Sequence, residues 1–97
     1  MKEILKDLNK AFENRVRLGI MSSLMVNDVQ SFQDLKRLLG VTDGNLASHL
    51  KALEKVEYIT YSKSFVDRKP LTSYSATKLG KLAFKKHLAA IERLLKE

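Results

Sequence analysis

"LGVTDGNLASHLKAL", Leu39 to Leu53, holds two helical patterns with a break between them. An apolar periodicity stops at Gly40, small and polar residues follow, and a second stripe begins at Leu46. Gly40 supplies the positive-φ conformation common just past a helix end. Thr42 offers a hydroxyl to the orphan N–H groups of the next helix, and Asp43 complements its positive end. Leu46, Leu50 and Leu53 recur at i, i+4 and i+7, so a helix from Asp43 to about Val56 buries that stripe. The turn from Gly40 to Thr42 is short enough for a steep helix-turn-helix crossing.

Working upstream, "FQDLKRLL" predicts a helix over Phe32–Leu39 that buries Phe32, Leu35, Leu38 and Leu39, with Ser31 or Phe32 leading in. "NDVQSF" before it is a loop ending in a very short extended piece. Residues 13–26 carry Val16, Ile20 and Leu24 at helical spacing, and residues 1–12 carry Ile4, Leu5, Leu8, Ala11 and Phe12. These are either one helix or two broken near Glu13-Asn14, with Asn14 as the second helix's cap. Downstream, "EYITYSKS" alternates with β-branched and aromatic residues and predicts a strand. "FVDRKPL" holds the only proline and a cluster of charges, so it is taken as a turn or loop. "LTSYSA" resumes the alternation antiparallel to the first strand. Thr77 then caps a last helix from Lys78 to about Lys96. The expected fold is mainly α with a small antiparallel hairpin: a winged helix-turn-helix with additional N- and C-terminal helices, all in one domain over residues 1–97.

Composition narrows the partners. The chain has 97 residues, enough for one modest core. Lys and Arg total 18 against 11 Asp and Glu, a formal charge of +7. Residues 1–28 hold five basic and four acidic side chains, residues 29–97 thirteen and seven, so the excess lies mostly in the second part. A basic surface points to nucleic acid, an anionic membrane or an acidic protein. No apolar run is long enough to span a bilayer and the N-terminus lacks a signal peptide's apolar block, so no membrane association and a cytoplasmic location are expected. With no cysteine there is neither a disulfide nor a thiolate metal site.

Three segments, "NRVRLGIMSSL", "FQDLKRLLGVTDGNLASHLKALEKVEYI" and "RKPLTSYSATKLGK", resemble the small winged-helix transcriptional regulators of bacteria and archaea related to the MarR and ArsR groups. They span about Asn14 to Phe84, and the block "TDGNLxxHLxxLE" followed by "RKPxTxYxxTxxG" carries the likeness. The resemblance implies a DNA-binding dimer that represses or activates transcription. Ala47 departs from the pattern, standing where relatives often carry Ser, and an ArsR-type cysteine metal site is impossible here.

Candidate contacts follow from the residues themselves. Opposite the leucine stripe, the helix from Asp43 presents Gly44, Ser48, Lys51, Ala52 and Lys55, flanked by Asn45 and Ala47. Small residues admit close approach to a major groove, Asn and Ser bond base edges, and lysines meet phosphates. Asp43 itself suits the helix end better than a base. In the wing, residues 63–70, Arg68 is the candidate for the minor groove, with Lys63 and Lys69 on phosphates and Pro70 limiting the loop. Phe65 is expected to pack back on the sheet. Thr42 at the helix start and Lys36 and Arg37 on the preceding helix complete the expected DNA-contacting set, with Arg15 and Arg17 as weaker candidates.

Phe84, Leu88, Ile91 and Leu95 repeat at four, three and four, a coiled-coil-like stripe. Leu79, Leu82 and Ala83 are expected to face the core instead. With Ile4, Leu8 and Phe12 the stripe would build a twofold homodimer from both terminal helices, about 1–12 and 78–96, setting two reading helices about 34 Å apart. Any small-molecule effector would enter at that seam, though no residue marks a pocket. His49 and His87 lie on different helices without a metal-ligand pattern, and nothing in the chain has the arrangement of a catalytic site. The expectation is therefore a regulator with no cofactor and no enzymatic activity, reading double-stranded DNA; the other reading is a winged-helix protein-interaction module.

Overall fold

Side chains that take up orphan backbone donors set the starts of the four longer α-helices in this chain. The computed structural model describes residues 1–97, with five α-helices and three strands. Asn14 stands extended before α2 (Arg15–Val26), and its Oδ1 accepts the N–H groups of Val16 and Arg17. Ser31 accepts from Asp34 at the head of α3 (Phe32–Leu39), and Thr42 from Asn45 at the head of α4 (Asp43–Lys55). Gly40, left-handed at φ +63°, closes α3 with its N–H on the Lys36 carbonyl. Thr77 caps α5 (Lys78–Leu94) through Gly80. Strands β2 (Ile59–Val66) and β3 (Lys69–Ala76) form the hairpin, and β1 (Gln30–Ser31) pairs with β3, giving an antiparallel sheet in the order β1-β3-β2.

The core gathers one or more residues from nearly every element. Ile20, Met21 and Leu24 of α2 meet Leu35 of α3, the three leucines of α4, Ile59 and Tyr74 of the sheet, Phe84 of α5, and Phe12. Leu46, Leu50 and Leu53 are no more than 1% exposed, so α4 is fixed in rotation about its axis.

Several expectations are corrected. Residues 1–12 are not a continuous helix: α1 (Lys2–Leu5) is one turn long, and a 3-10 turn covers Lys10–Phe12. Asn9 causes the break. Its side chain accepts the Ala11 N–H, its own N–H donates to Nδ1 of His87 at 3.0 Å, and its amide donates to the Tyr58 hydroxyl at 2.9 Å. Those long-range bonds outweigh a helical stripe too short to be stable alone. Leu38 is 63% exposed rather than buried, because α3 meets the core along a narrower face than its pattern suggests. On α5 the expected core stripe holds only in part: Ala83 packs on the core, but Leu79 and Leu82 face outward, while Gly80, Phe84, His87 and Ala90 are buried. The hairpin is also longer than expected. "FVDRKPL" is no loop except at Asp67-Arg68, whose φ values of +51° and +67° make a two-residue turn of the I′ kind. Pro70 lies within β3 opposite Phe65, in a pair where its missing N–H would point away from β2.

Tyr58 ties the ends of the chain together. Its ring stacks on Phe12 with centroids 5.3 Å apart, and Phe12 meets Phe84 edge-on at 5.0 Å. Its carbonyl accepts the Thr77 N–H at 3.0 Å, and a methyl group on Gly80 would overlap that same carbonyl. Asp7 reaches α5 through Arg93 at 2.8 Å, and this hydrogen bond holds its carboxyl below the ordinary range.

Two stability predictions follow from this packing. Gly80→Ala should lower the melting temperature, at a cost of about 1–3 kcal/mol. Gly44→Ala, where an added Cβ meets nothing within 4 Å, should be neutral or raise it by up to about 1 kcal/mol from helix propensity. The second prediction concerns acid. Burial pushes the His87 imidazole below its ordinary 6.5, partly opposed by Glu13. Burial and the neighbouring Arg17 charge do the same to His49. The unfolded chain therefore takes up these protons first, and stability present above about pH 6.5 should be lost as pH falls through the folded values. In thermal melts across pH 5–8, His87→Gln, which keeps an acceptor for Asn9, should flatten that decline.

Candidate nucleic-acid interface

With the leucine stripe of α4 turned inward, its other side chains except His49 and Glu54 are committed to solvent. Asp43, Gly44, Asn45, Ala47, Ser48, Lys51, Ala52 and Lys55 are all exposed, as is Thr42 before them. Gly44 has open space around it, so no packing contact within the chain requires a glycine there. The outer face thus begins small and polar and ends with two lysines.

The helix is anchored at its N-terminal end. Lys36 of α3 bridges to Asp43 at 2.9 Å across the turn, which occupies that carboxylate and joins the two helices of the motif. This suits Asp43's expected place at the helix end. Arg37 meets Asp34 at 3.6 Å within α3 and stays mostly exposed. Exposed pairs of this type contribute roughly 0–1 kcal/mol, so Lys36 and Arg37 stay exchangeable toward another anion. Arg15 is exposed, but Arg17 is not a free cation. Its Nε donates to the Ala11 carbonyl at 2.7 Å, and its Nη1 lies 3.0 Å from Nδ1 of His49. Arg17 and His49 hold the 3-10 turn, α2 and α4 together.

The hairpin carries the remaining candidates. Lys63, Arg68 and Lys69 are exposed. Neither they nor Lys51 and Lys55 take part in any ion pair of the chain. The Lys63 ammonium sits 5.9 Å from the Tyr61 ring centroid. Arg68 occupies the tip in a left-handed conformation at φ +67°, which costs a non-glycine residue about 1–2 kcal/mol. Phe65 does not pack back on the sheet: it is 77% exposed. The period-2 alternation of Tyr61, Lys63 and Phe65 carried the signal that the strand runs on to the tip, but "DR" lacks the glycine or asparagine that would have marked a tight turn.

The expected dimer stripe divides in two. Ile4, Phe12 and Phe84 are buried within the chain, and Leu8 is half-buried. Leu88, Ile91 and Leu95 are 44%, 39% and 84% exposed, and Leu5 on α1, the short helix that packs on α5, is 50% exposed. The stripe starts over the core and runs out past it, so its C-terminal part alone stays uncovered.

Residues 16–95 match the family described as the winged helix DNA-binding domain. An uncharacterised protein of Methanocaldococcus jannaschii is 36% identical over 87 residues, covering 90% of this chain and 95% of that one. A transcriptional regulator homologue from Pyrococcus horikoshii OT3 superposes with a TM-score of 0.86 at 33% identity, over 98% of this chain and 92% of that one. A MarR-family transcriptional regulator of Enterococcus faecalis V583 shares the fold, with a TM-score of 0.73 at 21% identity over 89% and 76% of the two chains. No helix of the chain is long and apolar enough to cross a membrane. Two helices joined by a short turn, the second capped, and then a cationic hairpin, matched over residues 16–95, mean that this chain belongs to the winged-helix DNA-binding domain family.

Proposed function

We propose that the chain is a sequence-specific transcriptional regulator that works in the cytoplasm as a homodimer on double-stranded DNA. The outer face of α4 reads the major groove through Asn45 and Ser48, with Gly44 and Ala47 admitting close approach and Lys51 and Lys55 meeting phosphates. Lys36, Arg37 and Thr42 hold the flanking backbone. The wing places Arg68 in the minor groove between phosphate contacts from Lys63 and Lys69. The observation that carries this reading is the group of five unpaired cations on α4 and the hairpin. Arg68 adds to it, since a side chain kept at a strained tip is a mark of use.

The dimer rests on the C-terminal part of α5. Leu88, Ile91 and Leu95 leave an apolar strip open to water, and a second copy related by a twofold axis would cover it. A small-molecule effector has a natural entry in the crevice of about 430 Å³ where Lys10 and Arg17 meet Ala52 of α4 and Val56 just past its end, because a ligand there would touch both the N-terminal segment and the reading helix.

Selection of bound duplexes from a random pool should recover a palindrome with half-sites about one helical turn apart. On that duplex, Lys51→Ala and Arg68→Ala should each weaken binding and lower the slope of log affinity against log salt by about one. A protein that retains no duplex, or binds without salt dependence, would refute the reading and favour a protein-docking module. Sedimentation should give about twice the 11.1 kDa chain mass. Ile91→Glu with Leu95→Glu should return the monomer with its melting transition intact.

A further inference from the structure

Phe65 is the most exposed aromatic ring of the chain, and its position is unusual. It lies on a backbone paired without interruption up to Val66 and Lys69, one residue short of the two-residue turn. Side chains alternate along a strand, so Phe65 shares a face with Ile59, whose burial shows that this face looks toward the body of the molecule. Beyond Ile59 that face is exposed at every residue, with Tyr61 half exposed. Across the ladder Phe65 stands opposite Pro70, also exposed, yet the ring remains 77% open to water. A cross-strand contact that stabilised the hairpin would have covered it. Around it, Lys63, Arg68 and Lys69 outnumber Asp67.

We propose that Phe65 is an apolar wedge that enters a base step of DNA from the minor groove and kinks the duplex, with Pro70 bracing it. The inference rests on the DNA-binding reading above and adds to it a contact made neither by charge nor by hydrogen bonds. The hairpin charge selects a polyanion as the occupant, and phenylalanine and proline are among the side chains that unstack base steps from that groove. Dimensions support a deformed duplex. A minor groove about 6 Å wide accepts an arginine side chain, but not a hairpin whose strands lie about 4.8 Å apart and carry side chains on both edges. Seating the ring therefore requires the groove to open, which a wedge brings about. Phe65 lies about two strand residues, roughly 7 Å, behind the tip, close to two base-pair rises. The opened step is thus about two base pairs from the one that Arg68 occupies, and flexible pyrimidine–purine steps are preferred there.

The test uses the intact protein and the duplex it selects from a random pool, with 2-aminopurine placed at successive positions. Wild-type binding should raise the fluorescence severalfold at one step per half-site and retard the complex as a bent duplex in phased gels. Phe65→Ala should abolish both effects and weaken binding about fivefold or more, leaving the salt slope unchanged because no charge is lost. Phe65→Leu should restore part of each. Since the ring is exposed, both variants should melt with the wild type. Duplex binding with no fluorescence rise, or equal binding and bending by Phe65→Ala, overturns the wedge while leaving the DNA-binding reading standing. Failure to select any duplex overturns both. Loss of binding to phosphatidylglycerol vesicles in Phe65→Ala, with duplex binding intact, assigns the ring to a membrane surface and also overturns it.

Discussion

Burial of Leu46, Leu50 and Leu53 is the constraint on which the rest depends. Three leucines on one stripe, each touching the core, allow α4 a single rotation about its axis. Its outer residues are then assigned by geometry at about 100° per residue. Gly44, Ser48, Lys51 and Lys55 fall opposite the stripe. Asp43 and Glu54 fall on one flank, between stripe and outer face. The core thus sorts charge as well as apolar surface: the face opposite the stripe has lysines and no carboxylate. Replacing any one leucine by alanine would cost about 2–5 kcal/mol, a large part of a small domain's stability, and would also loosen the rotation that the sorting needs.

The hairpin is held at its root by a different kind of contact. Tyr58 joins the end of α4 to the start of α5 through its carbonyl, to Phe12 through its ring and to Asn9 through its hydroxyl. Thr77 adds its hydroxyl on the Glu57 carbonyl at 2.7 Å. With both strand ends clamped and β1 paired to β3, the wing projects from a fixed base. Little conformational entropy is then left to lose on binding. The same cluster fastens the N-terminal segment, so His87 and Asn9 connect the two ends of the chain to the root of the wing.

What could be read from the sequence follows from how local each signal is. The start of α4 was legible because Gly40, Thr42 and Asp43 act within one turn of themselves, and its stripe because every third or fourth residue reaches the same core. The break at Asn9 was not legible, since its cause lies in His87 and Tyr58, far along the chain. Leu38, Leu79 and Leu82 look like core residues to any periodicity, but only the packing partner decides how wide a helix face is covered. The terminal stripe misled for the same reason: Phe12 and Phe84 belong to the monomer's core, while Leu88, Ile91 and Leu95 continue the spacing beyond it. At the wing the full length of the strands was not legible, because Asp67-Arg68 adopts a turn that this dipeptide rarely signals.

That turn bears on how the wing is used. A glycine in place of Arg68 would relieve a backbone strain of about 1–2 kcal/mol, and asparagine-glycine would form the turn more readily still. Folding alone therefore disfavours the residue found at the tip. Electrostatics within the chain does not compensate, since no carboxylate pairs with Arg68. Nor does burial, since the side chain is exposed. Phe65 stands in the same position, an aromatic ring hydrated where a polar residue would fold as well. Two neighbouring departures from what stability favours, one in charge and one in apolar surface, are most simply reconciled by one external surface that offers phosphates beside stacked bases.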